Sequence, residues 1–84
     1  MYRLRFEKRV FKDLDKIPNN DALRIDNNIR MLKENPHPPG SKKLTGEHSL
    51  YRIRQGNYRI IYTVSHATRE VRILAVRHRK EAYR

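Results

Sequence analysis

The 84-residue chain has no cysteine and no tryptophan, only three glycines, and nine acidic residues against twenty Lys and Arg. Without cysteine there are no disulfides and no thiolate metal centre. Lys and Arg interrupt every apolar stretch, so none is long enough for a signal peptide or a membrane span. That favours a soluble, cytoplasmic protein with no membrane partner. There is also no glycine-rich phosphate loop, no paired-carboxylate motif and no zinc-type ligand spacing. No metal or other cofactor is expected.

What is present is positive charge. The net charge is +11, and it is unevenly spread. Residues 1–50 carry 11 basic and 7 acidic groups, net +4, whereas residues 51–84 carry 9 and 2, net +7. A basic excess gathered in one segment argues for a polyanionic partner, either nucleic acid or an acidic protein. The length fits a single domain spanning residues 1–84, which buries only about 60–65% of the surface of its unfolded chain and so has a thin core.

The apolar residues change period along the chain. In YRLRF, residues 2–6, Tyr2, Leu4 and Phe6 alternate with Arg3 and Arg5, the mark of a half-buried strand. From Glu7 onward Val10, Leu14 and Ile17 recur at helical spacing, with Phe11 widening the stripe, until Pro18 ends the run. Asn19, Asn20 and Asp21 offer N-caps for a second helix whose apolar face is Ala22, Ile25, Ile29 and Leu32. Asn35-Pro36 stops it. The segment PHPPGSKKLTGEHS is a loop by composition. Strands are expected at about 49–55, 58–65 and 70–78. An N-terminal strand, two helices and a three-stranded antiparallel meander make an α+β fold, packed as one antiparallel sheet with helices on one face.

Within YRIRQGNYRIIY, residues 51–62, a two-residue turn at Gly56-Asn57 sets Arg54 directly across from Arg59, with Arg52 on the same face. Like charges so placed cost roughly 0.2–1 kcal/mol per pair. Tyr58, Ile60, Tyr62 and Val64, joined by Tyr51 and Ile53, form the face that should meet the helices. The opposite face then carries an arginine floor beside Ile61 and Thr63. Arg59 could be a solvated strand residue or pair with Glu47 or Glu70. The acidic residues are too few, however, to neutralise all its basic neighbours.

The stretches NP-x-PPGSKKLTG, YRIRQGNYRIIY and the terminal VRHRKEAYR together resemble the RelE family of toxin–antitoxin toxins, within the RelE/ParE superfamily. The likeness covers nearly the whole chain and implies the RelE/ParE-like fold. It further implies a toxin that enters the ribosomal A site and cuts mRNA there without a metal. In that family an antitoxin protein, expected here to be acidic, neutralises the toxin. The complex usually represses its own operon, so operator DNA is an indirect partner. By the same resemblance Arg59 and Arg79 hold the scissile phosphate and stabilise its transition state, and Tyr83 stacks on a base or accepts a proton.

Such cleavage uses the 2′-OH of the RNA as nucleophile and leaves 2′,3′-cyclic phosphate and 5′-OH ends. It needs a base, an acid, and cations around the phosphorane. Arginine suits the last role, because its planar fork matches phosphate bidentately and stays charged. Arg52 and Arg54 fall where the family often has lysines. As arginines they can bind phosphate, but they are implausible bases. Lys42 and Lys43, just before the hairpin, are expected to reach RNA backbone. One closing helical turn would set Tyr83 on the same face as Arg79. His78 is a rival acid or base by chemistry, although strand alternation turns it away from Arg79 and favours an orienting role. His37, His48 and His66 read as surface loop residues.

Two other readings use the same residues. A ParE-like toxin would share the fold and inhibit DNA gyrase without catalysis, and that branch tends to lack the basic cleft and the terminal tyrosine. An inactive homologue would keep only antitoxin and operator binding. Basic residues interleaved with tyrosine also suit a simple single-strand-binding module.

Overall fold

The structure, a computed structural model, describes residues 1–44 and 50–80. In chain order the elements are β1 (Arg3–Phe6), α1 (Lys8–Asp15), α2 (Asn19–Met31), β2 (Lys42–Lys43), β3 (Leu50–Gln55), β4 (Tyr58–Ser65) and β5 (Glu70–His78). The strands make one sheet in the order β1-β5-β4-β3-β2. Its heart is the expected antiparallel meander, with Arg54 opposite Arg59 and Tyr51 opposite Tyr62. The β3–β4 turn is tight because Gly56 adopts φ 60°, a left-handed conformation glycine enters without penalty.

The structure departs from the sequence reading in four places. The sheet is mixed rather than wholly antiparallel, because β1 lies parallel to β5, with Leu4 beside Val71 and Phe6 beside Ile73. Period-two alternation marks a strand without specifying its neighbour or direction. Here β1 covers the outer side of β5, whose Val71 and Ile73 are fully buried. Second, two residues of the supposed loop, Lys42 and Lys43, pair with Arg52 and Tyr51 as an edge strand. Lysines are ordinary residues on such an edge, since they discourage pairing with a further strand. Third, Pro18 rather than an Asn or Asp occupies the N-cap of α2, with no side-chain cap. Fourth, Phe11 lies outside the core, 57% exposed, with its ring 5.8 Å from that of Phe6.

The core lies between the helices and one face of the sheet. Val10 and Ile17, with Ile25, Ile29 and Leu32, meet Ile53, Ile60, Tyr62, Val64, Val71, Ile73 and Val76. Burying each such side chain contributes about 1.5–3 kcal/mol before entropy is counted. Asp13 of α1 accepts a hydrogen bond from the Val76 N–H at 3.0 Å, which ties that helix to β5. The Tyr62 hydroxyl donates to the Pro36 carbonyl at 2.8 Å, anchoring the segment after α2. Burial raises the Tyr62 phenol to about 12. No helix among the described residues is long and apolar enough to cross a membrane.

Candidate functional site

The helix-free face of the sheet is divided electrostatically. Towards β1, Arg72 meets Glu7 at 3.4 Å and Glu70 at 3.3 Å, and Arg5 meets Glu70 at 3.3 Å. Around the β3–β4 turn the cations gather differently. Arg54 faces Arg59 across β3 and β4, and Arg59 in turn faces Arg77 across β4 and β5. Three guanidinium-bearing positions therefore form one row over three strands. Arg52 lies two residues along β3 from Arg54, with Lys42 as its cross-strand neighbour. Arg54, Arg77 and Arg79 form no ion pair with any described residue.

A β-bulge builds this row. From Ser65 opposite Glu70 to Tyr62 opposite Ile73 the β4–β5 pairing is regular, and between Ile61 and Tyr62 the register shifts. Without that shift Arg59 would face Val76. With it, Val76 pairs with Ile60 and is buried, while Arg77 comes opposite Arg59. A one-residue shift exchanges the two faces of a strand, so the same bulge turns Arg77 and Arg79 together onto the open face. Arg79 is held beside the hairpin by its own N–H, which donates to the Asn57 carbonyl at 2.7 Å.

The result is a cleft of about 300 Å³ lined by Arg54, Gly56, Asn57, Tyr58, Arg59 and Arg79. Arg59 is half-buried, with its Nε shielded from solvent, and Arg54 and Arg79 are exposed at the rim. A half-buried cation at the base with exposed cations around it suits a phosphodiester, which offers two anionic oxygens to separate forks. Away from the cleft, the His37 imidazole is held below its ordinary value, by partial desolvation first and by the neighbouring His66 second.

The expected site residues are thus brought together in part. Arg52, Arg54, Arg59, Arg79 and Lys42 share the open face. Lys43 does not, because it pairs with Tyr51, a residue packed against the core. His78 pairs with Tyr58, the rings meeting edge-on at 5.3 Å, and lines a separate hollow with Asp13, Lys16, Ile17 and Val76. Its Nδ1 accepts the Lys80 N–H at 3.2 Å. His78, a candidate for RNA binding, thus lies apart from the arginine cleft, on the Tyr58 side of the sheet. Tyr83, like Glu47 and His48, lies outside the described residues. Arg77 is the residue that sequence reasoning passed over, because simple alternation from the β4–β5 turn sets it on the core face.

A profile described as ParE toxin of type II toxin-antitoxin system, parDE, matches residues 4–83. The RelE1 protein of Methanocaldococcus jannaschii is 33% identical over 86 residues, covering 99% of this chain and 96% of that protein. The RelE–RelB complex of Pyrococcus horikoshii superposes with a TM-score of 0.83 at 32% identity, covering 93% of this chain and 94% of that one. The RelB–RelE antitoxin–toxin complex of Methanococcus jannaschii gives 0.75 at 35% identity, covering 94% of each chain. Profile, sequence and fold coincide over nearly the whole length, and the chain belongs to the RelE/ParE family of toxins of type II toxin–antitoxin systems.

Proposed function

We propose that this toxin is a ribosome-dependent, metal-independent endoribonuclease that cleaves mRNA in the A site. The observation that carries the reading is the cross-strand row Arg54–Arg59–Arg77 with Arg79 at the mouth of the cleft. It gathers guanidinium groups from three strands around one cleft, an arrangement suited to a polyanionic backbone. In this mechanism the substrate 2′-OH gives up its proton and attacks phosphorus. The P–O5′ bond breaks, and the leaving oxygen takes up a proton. Arg59, Arg77 and Arg79 stabilise the extra negative charge on the phosphorane, while Arg52, Arg54 and Lys42 track the neighbouring backbone. Tyr83 stacks on a base or accepts the 2′ proton. RNA-backbone binding through Lys43 is the weaker part of the scheme, given its face.

The partner is an antitoxin, as the RelE–RelB complexes of the relatives suggest. A net charge of +11 fits an acidic one, and operator DNA would be reached through that complex. The gyrase-directed reading draws on the ParE description of the matching profile, so the test must separate the two. Primer extension on mRNA in a translation extract should reveal cleavage at A-site positions. Removing one preorganised donor typically costs about 10²–10³ in rate. Arg77→Ala and Arg79→Ala should each lose that much with unchanged folding. Intact mRNA with stalled gyrase would refute the nuclease in favour of the gyrase reading. Intact mRNA without toxicity would leave an inactive antitoxin-binding homologue.

A further inference from the structure

Seven residues along β4 from Arg59, or roughly 23 Å at ~3.3 Å per residue, three chain segments distant in sequence meet. His37 lies in the connection after α2, His66 opens the β4–β5 turn, and Tyr2 precedes β1. The Nε2 atoms of His37 and His66 are 3.1 Å apart, and the Tyr2 hydroxyl is 2.6 Å from His66 Nδ1. The surroundings fix both rings. The main-chain N–H of His37 donates to Asn35 Oδ1 at 3.0 Å, and its ring meets that of Tyr51 edge-on at 4.7 Å. Tyr2 is held by its own N–H, which donates to the Lys33 carbonyl at 2.8 Å. Thr68 bonds Ser65 through both its N–H and its hydroxyl, closing the turn that carries His66.

We propose that His37 and His66 form a bidentate site for a divalent transition metal of the zinc, nickel or copper class. Two imidazole nitrogens bound to one ion at about 2.0–2.1 Å stand about 2.9 Å apart at a right angle and about 3.3 Å apart in a tetrahedron. The 3.1 Å separation lies between these values. Both rings offer the same nitrogen, and the two Nε2 atoms face each other at that distance. The Tyr2 hydroxyl supplies the outer partner that metal-bound histidines require on the second nitrogen.

The protons balance. In the metal-free neutral pair one Nε2–H lies between the rings. On binding, that hydrogen moves to the other nitrogen of its own ring, so no net proton is released. If the ring is His66, its Nδ1–H then donates to the Tyr2 oxygen, and the phenol hydrogen turns to solvent.

No group of three or more His, Asp or Glu that could hold a metal occurs among the described residues. The protein therefore supplies two ligands, and solvent or an incoming group fills the rest. Imidazole donors favour the later first-row metals over magnesium and calcium, which prefer oxygen. A bound ion would clamp the connection after α2 to the β4–β5 turn. It would take no part in RNA cleavage at the far end of the sheet.

The test is isothermal titration of the full chain with Zn²⁺, and electron paramagnetic resonance with Cu²⁺, on wild type, His37→Gln, His66→Gln and Tyr2→Phe. Both histidines are exposed, so their variants should fold normally, as circular dichroism would verify. One equivalent should bind to wild type with two nitrogens in the copper spectrum. Either histidine variant should drop to one nitrogen and lose at least tenfold in affinity. Tyr2→Phe should keep both nitrogens and bind about tenfold more weakly. No saturable binding by wild type overturns the proposal. So does binding that survives in both histidine variants, which would place the metal on His48 or His78 instead.

Discussion

Replacing Arg54 with threonine should make the protein more stable, and the gain can be bounded. Arg54 is exposed at the cleft rim, faces Arg59 across the hairpin, and forms no ion pair with any described residue. Threonine fits a strand as well and carries no charge. Removing one directly opposed like-charge pair returns roughly 0.2–1 kcal/mol. In a domain of this size that corresponds to a rise of about 1–8 °C in Tm. Salt supplies the internal check. The Debye length falls from about 10 Å at 0.1 M to about 3 Å at 1 M, so the difference between wild type and variant should nearly vanish at high salt. Arg72→Thr is the matched control on the same face. It removes contacts to Glu7 and Glu70, and should change stability by between zero and a loss of about 1 kcal/mol. A single-stranded RNA oligonucleotide should then raise the wild-type Tm more than that of Arg54→Thr. If Arg54→Thr lowers Tm at low salt, or its gain persists at 1 M salt, crowding of cations is not the cost at this site.

Other perturbations test the scaffold. Tyr62→Phe should cost about 1 kcal/mol at neutral pH, measured by urea unfolding, because it removes the hydrogen bond to the Pro36 carbonyl. The folded-state phenol is raised to about 12 against about 10 when unfolded, so its stabilisation is complete below pH 10 and is lost as pH rises towards 12. The wild type should therefore lose up to about 2–3 kcal/mol over that interval, and Tyr62→Phe should show a flatter alkaline limb. Gly56→Ala should destabilise by about 1–2 kcal/mol through backbone conformation alone, since φ is +60° and an added Cβ would meet nothing within 4 Å. Ile29→Ala, at a fully buried position of α2, should cost about 2–5 kcal/mol, visible as a lower urea midpoint with an unchanged slope.

Much of the architecture was legible because periodicity and turn chemistry agreed. Tyr58, Ile60, Tyr62 and Val64 alternate, and Gly56-Asn57 supplies a turn whose register follows from its length, so Arg54 could be set against Arg59 from sequence. The other half of the floor could not be read this way. Strict alternation from the β4–β5 turn sets Val71, Ile73, Ala75 and Arg77 on one face. The bulge breaks that series and moves Ala75 and Arg77 to the other. Nothing in ILAVRH announces the extra residue except that an arginine would otherwise enter the core while Val76 faced solvent. That conflict was the available signal. The parallel docking of β1 and the meeting of His37 with His66 depend on contacts across 29 or more residues, for which local pattern carries no information.

The placement of the arginines also explains how a thin-cored domain tolerates them. The twelve residues of the buried cluster lie on the helices, at their C-terminal ends and on the strands, and none of the cleft arginines is among them. The two faces of the sheet thus divide the work: one face buries the apolar side chains, and the other presents charge. The bulge is where the two requirements meet, since one register shift buries Val76 and turns Arg77 outward. A change that removed the extra residue would have to expose that valine or bury that guanidinium. Burying an unpaired charge costs several kcal/mol, more than the repulsion along the arginine row. The row is therefore stable against loss of the bulge even though each like-charge pair within it is unfavourable. Cleft charge and core packing are coupled at this one irregularity in β5.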